Sequence, residues 1–166
     1  LNRGYTLAQV NLGHLYLSGQ KISHIDLEIG LLPTEITQDL DALLKWRQEK
    51  ALELFMNVVN AGVIEAWYEV GHLFESQKKY KDALKAYEKL IKPSEAYRKT
   101  KPLEAHARYR AAIVSGQLAA TDSIFWKLAL QSCRLAIQEY EELKMVQHIE
   151  EAKLKYEEIN ASFQKS

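Results

Sequence analysis

From Trp67 to Tyr87 the chain sets large and small side chains at fixed offsets: Trp67, Val70 with Gly71, Phe74, then Ala83 and Tyr87. Steps of three and four residues put each group on one face of a helix. The glycine lets a second helix approach the first closely. The small Ala83 receives the bulky side chains of the first helix, and Tyr87 fills the seam to the next pair. A chain written this way is constrained to helices packed in pairs.

The pattern recurs. Leu12, Gly13 and Tyr16 stand at the offsets of Val70, Gly71 and Phe74, following Ala8 as those follow Ala66. Ala51, Phe55 and Val58 match Ala83, Tyr87 and Leu90, and Ala129, Cys133 and Ala136 form a third copy of that second half. In the helix before the third copy, Ala107, Ala111 and Val114 take the aromatic, glycine and aromatic positions. This register leaves Arg110 where an apolar residue is expected.

The offsets of Trp67, Val70, Gly71, Phe74, Ala83 and Tyr87, with Pro93 beyond them, resemble the signature of the tetratricopeptide repeat superfamily. The first copy, with Ala8 to Tyr16, Gly19, Ala51, Phe55, Ala61 and Gly62, resembles its Sel1-like branch. The resemblance implies an all-α fold, a right-handed α-solenoid of about three antiparallel helix pairs closed by a C-terminal capping helix. Repeat 1 would span about 6–62 with an insertion at about 20–46, repeat 2 about 64–97, repeat 3 about 103–143 and the cap about 145–163. The whole is expected to be a single domain.

Composition agrees with helices throughout. Only seven glycines and three prolines interrupt a chain rich in alanine, leucine, lysine and glutamate. Helices are expected at about 6–18, 37–60, 64–77, 80–91, 103–115, 123–143 and 145–163, with Thr121, Asp122 or Ser123 capping the sixth. Basic and acidic residues balance at 22 each, which lacks the bulk basicity of a generic nucleic-acid binder. No apolar run is long enough to span a membrane. The single Cys133 excludes an intrachain disulfide and reads as a small buried filler. Because the chain opens at Leu1 without a methionine, it is expected to be a piece of a longer protein, whose other domains are candidate partners. Its compartment stays open, cytoplasmic and periplasmic alike.

Gly13 and Ala51 are 38 residues apart, against 12 between Gly71 and Ala83. Leu40, Leu43, Leu44 and Arg47 keep a helical phase into Ala51 and can extend the second helix at its front. Residues 20–33 hold Ile22, Ile25, Leu27, Ile29, Leu31 and Leu32, too apolar for a fully solvated loop; a cap over the helix ends is favoured over a partner-binding arm. In the last helix, Val146, Ile149, Lys153, Tyr156, Asn160 and Phe163 form a stripe widened by Ala152 and Ile159. That suits a terminal helix with one polar face better than a self-pairing coiled coil.

The resemblance also implies where a partner sits, since first helices line the concave groove of tetratricopeptide proteins. The corresponding positions are Val10, His14 and Leu17 with Leu7 and Asn11 in repeat 1, and Glu65, Tyr68, Glu69, His72 and Glu75 in repeat 2. Repeat 3 adds Arg108 and Tyr109 with Ala105 and Ala112. The family's carboxylate clamp is not matched, because Val10, His14 and Glu69 replace the lysine and asparagines it needs, and acidic side chains repel an acidic tail. A peptide or helix of basic and apolar character is expected instead, with Tyr68 and Tyr109 stacking on it.

Catalysis, metal and cofactor binding are not expected. The five histidines are scattered, and no phosphate loop, nucleophile elbow or paired-carboxylate arrangement occurs. His24, Asp26 and Glu28 alternate, but short polar runs of this kind are usually solvated. The regular base-reading code of RNA-binding helical repeats is also missing. The function expected is a non-catalytic protein-protein interaction scaffold or adaptor. The alternative is a dedicated chaperone for one client, of the kind bacterial secretion systems use.

Overall fold

The computed structural model describes residues 3–18, 40–91 and 101–165, with side chains from Thr6 onward. The chain falls into two compact units, Leu1–Ala66 and Trp67–Ser166. Among the described residues there are seven α-helices and no strand. Residues 20–33, with their apolar run and with His24, Asp26 and Glu28, lie outside the described residues.

The first unit contains α1 (Arg3–Ser18) packed on α2 (Leu40–Asn60), followed by a 3-10 turn at Ile64–Ala66. Residues 40–46 form the front of α2, as their phase predicts, although Leu40 and Leu44 there are exposed. Ala51, Phe55 and Val58 make the buried stripe of α2. Phe55 covers Gly13, and Tyr16 meets Trp46 edge-on at 5.5 Å. Leu12 departs from expectation: Val70, its counterpart in the pattern, is fully buried, but Leu12 is 43% exposed. A helical step of 100° separates it from Gly13, and α2 covers only the Gly13 side of α1.

The second unit contains α3 (Trp67–Ser76), α4 (Tyr80–Ile91), α5 (Lys101–Ala119), α6 (Phe125–Glu142) and α7 (Val146–Phe163). Each packs on its neighbours in the chain, and α5 also touches α3 and α7. Helix α5 therefore has neighbours on most sides. Nine of its residues are buried, including Ala107, Ala111 and Val114 as the third-copy register requires. It is longer at both ends than its periodicity suggested. Pro102 fits in its first turn, where the missing N–H has no intrahelical partner in any case.

The turns explain the helix ends. After α2, Gly62 adopts φ +88° and the Val63 N–H reaches back to the Val58 carbonyl. After α3, Lys78 takes φ 58° with Lys79 N–H bonded to the Phe74 carbonyl. After α6, Lys144 takes φ 57° with Met145 N–H bonded to the Tyr140 carbonyl. All three are Schellman-type stops, one on glycine and two on lysine. Before α6 the N-cap position falls on Ile124, not on Thr121, Asp122 or Ser123, and no side chain caps the helix; the Asp122 carboxylate instead accepts the Ile124 N–H at 3.2 Å in the preceding turn.

On α7, Ala152 and Ile159 are the buried residues, flanked by half-buried Ile149 and Tyr156. Val146 and Phe163, expected in the same stripe, are 68% and 37% exposed. They lie at the two ends of the helix, where Phe163 still meets the Trp126 ring of α6, centroids 6.3 Å apart.

Candidate functional site

In the first unit, His14 is exposed with its ring 5.5 Å from Phe55, while Val10 and Leu17 are half-buried. Glu65 is exposed in the 3-10 turn. Uncharged side chains dominate this part of α1, since residues 6–18 contain no Asp, Glu, Lys or Arg.

In the second unit, the expected site residues separate into two groups. Tyr68, Glu69 and His72 occupy the first two turns of α3 and remain at the surface, Tyr68 and Glu69 half-buried and His72 exposed. Tyr68 leans on Tyr87, ring centroids 5.8 Å apart, and burial raises the pKa of its hydroxyl. The hydroxyl stays protonated and can donate to a ligand at neutral pH.

Glu75, Arg108 and Tyr109 are committed inside the unit. The Glu75 carboxylate accepts the Tyr87 hydroxyl at 2.9 Å and pairs in two-pronged fashion with Arg110. Burial opposes the charge of Arg110. The hydrogen bond and charge of Glu75 outweigh it and hold the guanidinium pKa above its ordinary value. The residue that broke the apolar register of α5 is thus the partner of an acid expected in the groove. Arg108 donates to both oxygens of Glu139 at 3.0 Å.

Tyr109, expected on the exposed face with Ala105 and Ala112, is buried at 6% exposure, and both alanines are fully buried. Helix α7 explains this, for its Ala152 belongs to the same core cluster and its Glu151 accepts the Tyr109 hydroxyl at 3.1 Å. The face that would have stacked on a peptide is occupied by the chain's own last helix.

The same region holds a cluster that sequence spacing did not expose. His106 Nδ1 and the Tyr140 hydroxyl are hydrogen-bonded at 2.9 Å. The His148 ring lies 4.7 Å from the His106 ring and 5.3 Å from that of Tyr140. Burial, and then the neighbouring His148, lower the pKa of His106, and Glu151 works in the opposite direction. The partners come from α5, α6 and α7, so no local motif could have revealed them.

Cys133 is buried nearby, its thiol donating to the Ala152 carbonyl at 3.3 Å and pushed by burial up to about 11. A thiol so held is a packing group, poorly disposed to react. Among the described residues no three His, Cys, Asp or Glu side chains converge to hold a metal ion, and no helix is long and apolar enough to cross a membrane.

No family model, curated protein or solved structure matches the chain.

Proposed function

We propose that the chain is a non-catalytic protein-protein interaction module of the tetratricopeptide and Sel1-like kind. In this reading its antiparallel helix pairs build a right-handed solenoid capped by α7. One observation carries the reading: the same contact occurs in both units, Gly13 against Phe55 and Gly71 against Tyr87. In each case a Cβ added to the glycine would lie 2.5 Å from the ring. Two helix pairs that use one packing device at equivalent positions are what a repeat predicts. Repeats of this type present the surface of their first helices to other polypeptides.

On the second unit that surface is Tyr68, Glu69 and His72. An aromatic hydroxyl, a carboxylate and an imidazole within two turns of α3 suit a segment with a basic residue beside an apolar one, by charge and by contact with the Tyr68 ring. The test is a pull-down with the intact chain and with a Tyr68→Ala, Glu69→Lys double variant, followed by mass spectrometry. A partner retained by the first and lost by the folded second supports the reading. Retention of the same partners by both removes α3 from the site.

A further inference from the structure

Helix α7 is held lightly for its length. Of its eighteen residues only Ala152 and Ile159 are buried, against nine in α5 and six in α6. The ion pair Lys153–Glu141, which ties it to α6, is exposed and contributes little. Yet the seam that α7 covers is apolar, built from Ala105, Tyr109 and Ala112 of α5 and Cys133, Ala136 and Tyr140 of α6.

The first turn of α7 is seated by an imidazole pair. The ring of His148 lies 4.7 Å from that of His106 on α5 and 5.3 Å from that of Tyr140 on α6, and Tyr140 shares its hydrogen bond with His106 Nδ1 at 2.9 Å. Both imidazoles are half-buried. The acid that acts on His106 is Glu151 of α7, whose carboxylate already accepts the Tyr109 hydroxyl. Tyr68 of α3 acts on Tyr140. The flanking cations are already paired, Arg108 with Glu139 of α6 and Arg110 with Glu75 of α3, and Tyr87 of α4 bonds to the same Glu75. One carboxylate thus answers two imidazoles.

We propose that His106 and His148 form a pH latch for α7: neutral, the two rings pack edge to face and keep the helix seated; protonated, they repel and α7 lifts from α5 and α6, baring the apolar seam. Histidine changes charge between about pH 5 and 8. Docked, His106 takes up a proton less readily than a free histidine, through burial and then through His148; released, both imidazolium ions are hydrated. The released state therefore binds more protons and gains as pH falls. In the interaction-module reading, the consequence is that Ala105, Tyr109 and Ala112, covered by α7 at neutral pH, become accessible in acid. That consequence alone rests on the reading; the latch does not.

The chain's sole cysteine is the reporter, since Cys133 is fully buried with its thiol on the Ala152 carbonyl of α7. Its labelling by 4,4′-dithiodipyridine is followed in the intact chain from pH 7.5 to 5, with the urea-unfolded chain correcting for the intrinsic reactivity of the thiol, alongside protection factors from amide hydrogen exchange. Corrected labelling is expected to rise at least tenfold, with α7 losing protection while α4, which packs on α3 and α5, keeps it. His148→Gln, at a half-buried position, removes one of the two charges and should hold the rise below threefold. If that variant loses its fold, His106→Asn takes its place with the same expectation. Labelling needs no partner, so its outcome stands apart from the pull-down on α3. A flat profile, a rise that survives the imidazole substitution, or loss of α4 protection in step with α7 overturns the proposal.

Discussion

Gly71 on α3 lies directly under the ring of Tyr87 on α4, so close that a methyl group on the glycine would sit 2.5 Å from Cε1 and 2.7 Å from Cδ1. Tyr87 is fully buried and its hydroxyl is tied to Glu75, so the ring has no room to yield. Gly71→Ala is expected to destabilise the second unit by about 1–3 kcal/mol, the usual cost of overpacking. Combining it with Tyr87→Leu should recover part of the loss, because the two changes act at one contact. Urea unfolding of the single and double variants measures this. Strict additivity would mean that the ring and the glycine do not press on each other.

Glu75 is the acceptor for both Arg110 and Tyr87, with side-chain exposures of 13% for the acid and 29% for the arginine. Glu75→Ala leaves a half-buried guanidinium and a buried phenol without their acceptor. The expected loss is about 2–3 kcal/mol, somewhat below that of a wholly buried pair. The double change Glu75→Leu, Arg110→Met removes both charges and should cost less than Glu75→Ala alone. Chemical denaturation of the three proteins distinguishes this from a surface pair, whose loss would scarcely move the midpoint.

These two contacts also mark where reading the residues in order succeeds and where it stops. Gly71 and Tyr87 sit in one helix pair joined by a short turn, so their offsets alone bring them together. The helix pattern of the described residues was legible for the same reason. Arg110 looked like a fault in the α5 stripe because its partner Glu75 lies 35 residues away on another helix. Tyr109 has the spacing of an exposed groove residue, and only the docking of α7, through Glu151 and Ala152, turns that face inward. The cluster of His106, Tyr140 and His148 draws on three helices and has no local signature. Periodicity says which side chains share a face; which faces are covered is settled by the tertiary arrangement.

Lys78 and Lys144 end α3 and α6 with φ of 58° and 57°, a left-handed conformation that strains any residue with a Cβ. Both side chains are exposed, so nothing in the packing favours lysine there. Lys78→Gly and Lys144→Gly should each stabilise the second unit, by roughly 0.5–1 kcal/mol, the strain relieved exceeding the entropy that glycine adds to the unfolded chain. Thermal unfolding of each variant provides the check. A lowered midpoint in both would mean that the lysines make contacts the turn geometry does not account for.

His106 gives the second unit a pH dependence whose sign follows from its surroundings. It is hydrogen-bonded to Tyr140 of α6, and His148 and Glu151 of α7 face it, with Tyr109 of its own helix beside Tyr140. Burial and the nearby His148 keep its folded-state pKa below the 6.5 of a free histidine. Between those two values the unfolded chain binds a proton that the folded chain refuses, so the contribution of His106 is present above pH 6.5 and is lost as pH falls toward the folded value. Acidification from pH 7.5 to 5 should therefore lower the urea midpoint, and His106→Asn should reduce the size of that drop relative to the native chain. Hydrogen exchange of α7 should rise first, since α7 contributes both His148 and Glu151. A native and a His106→Asn protein that lose stability in parallel would place the acid sensitivity elsewhere.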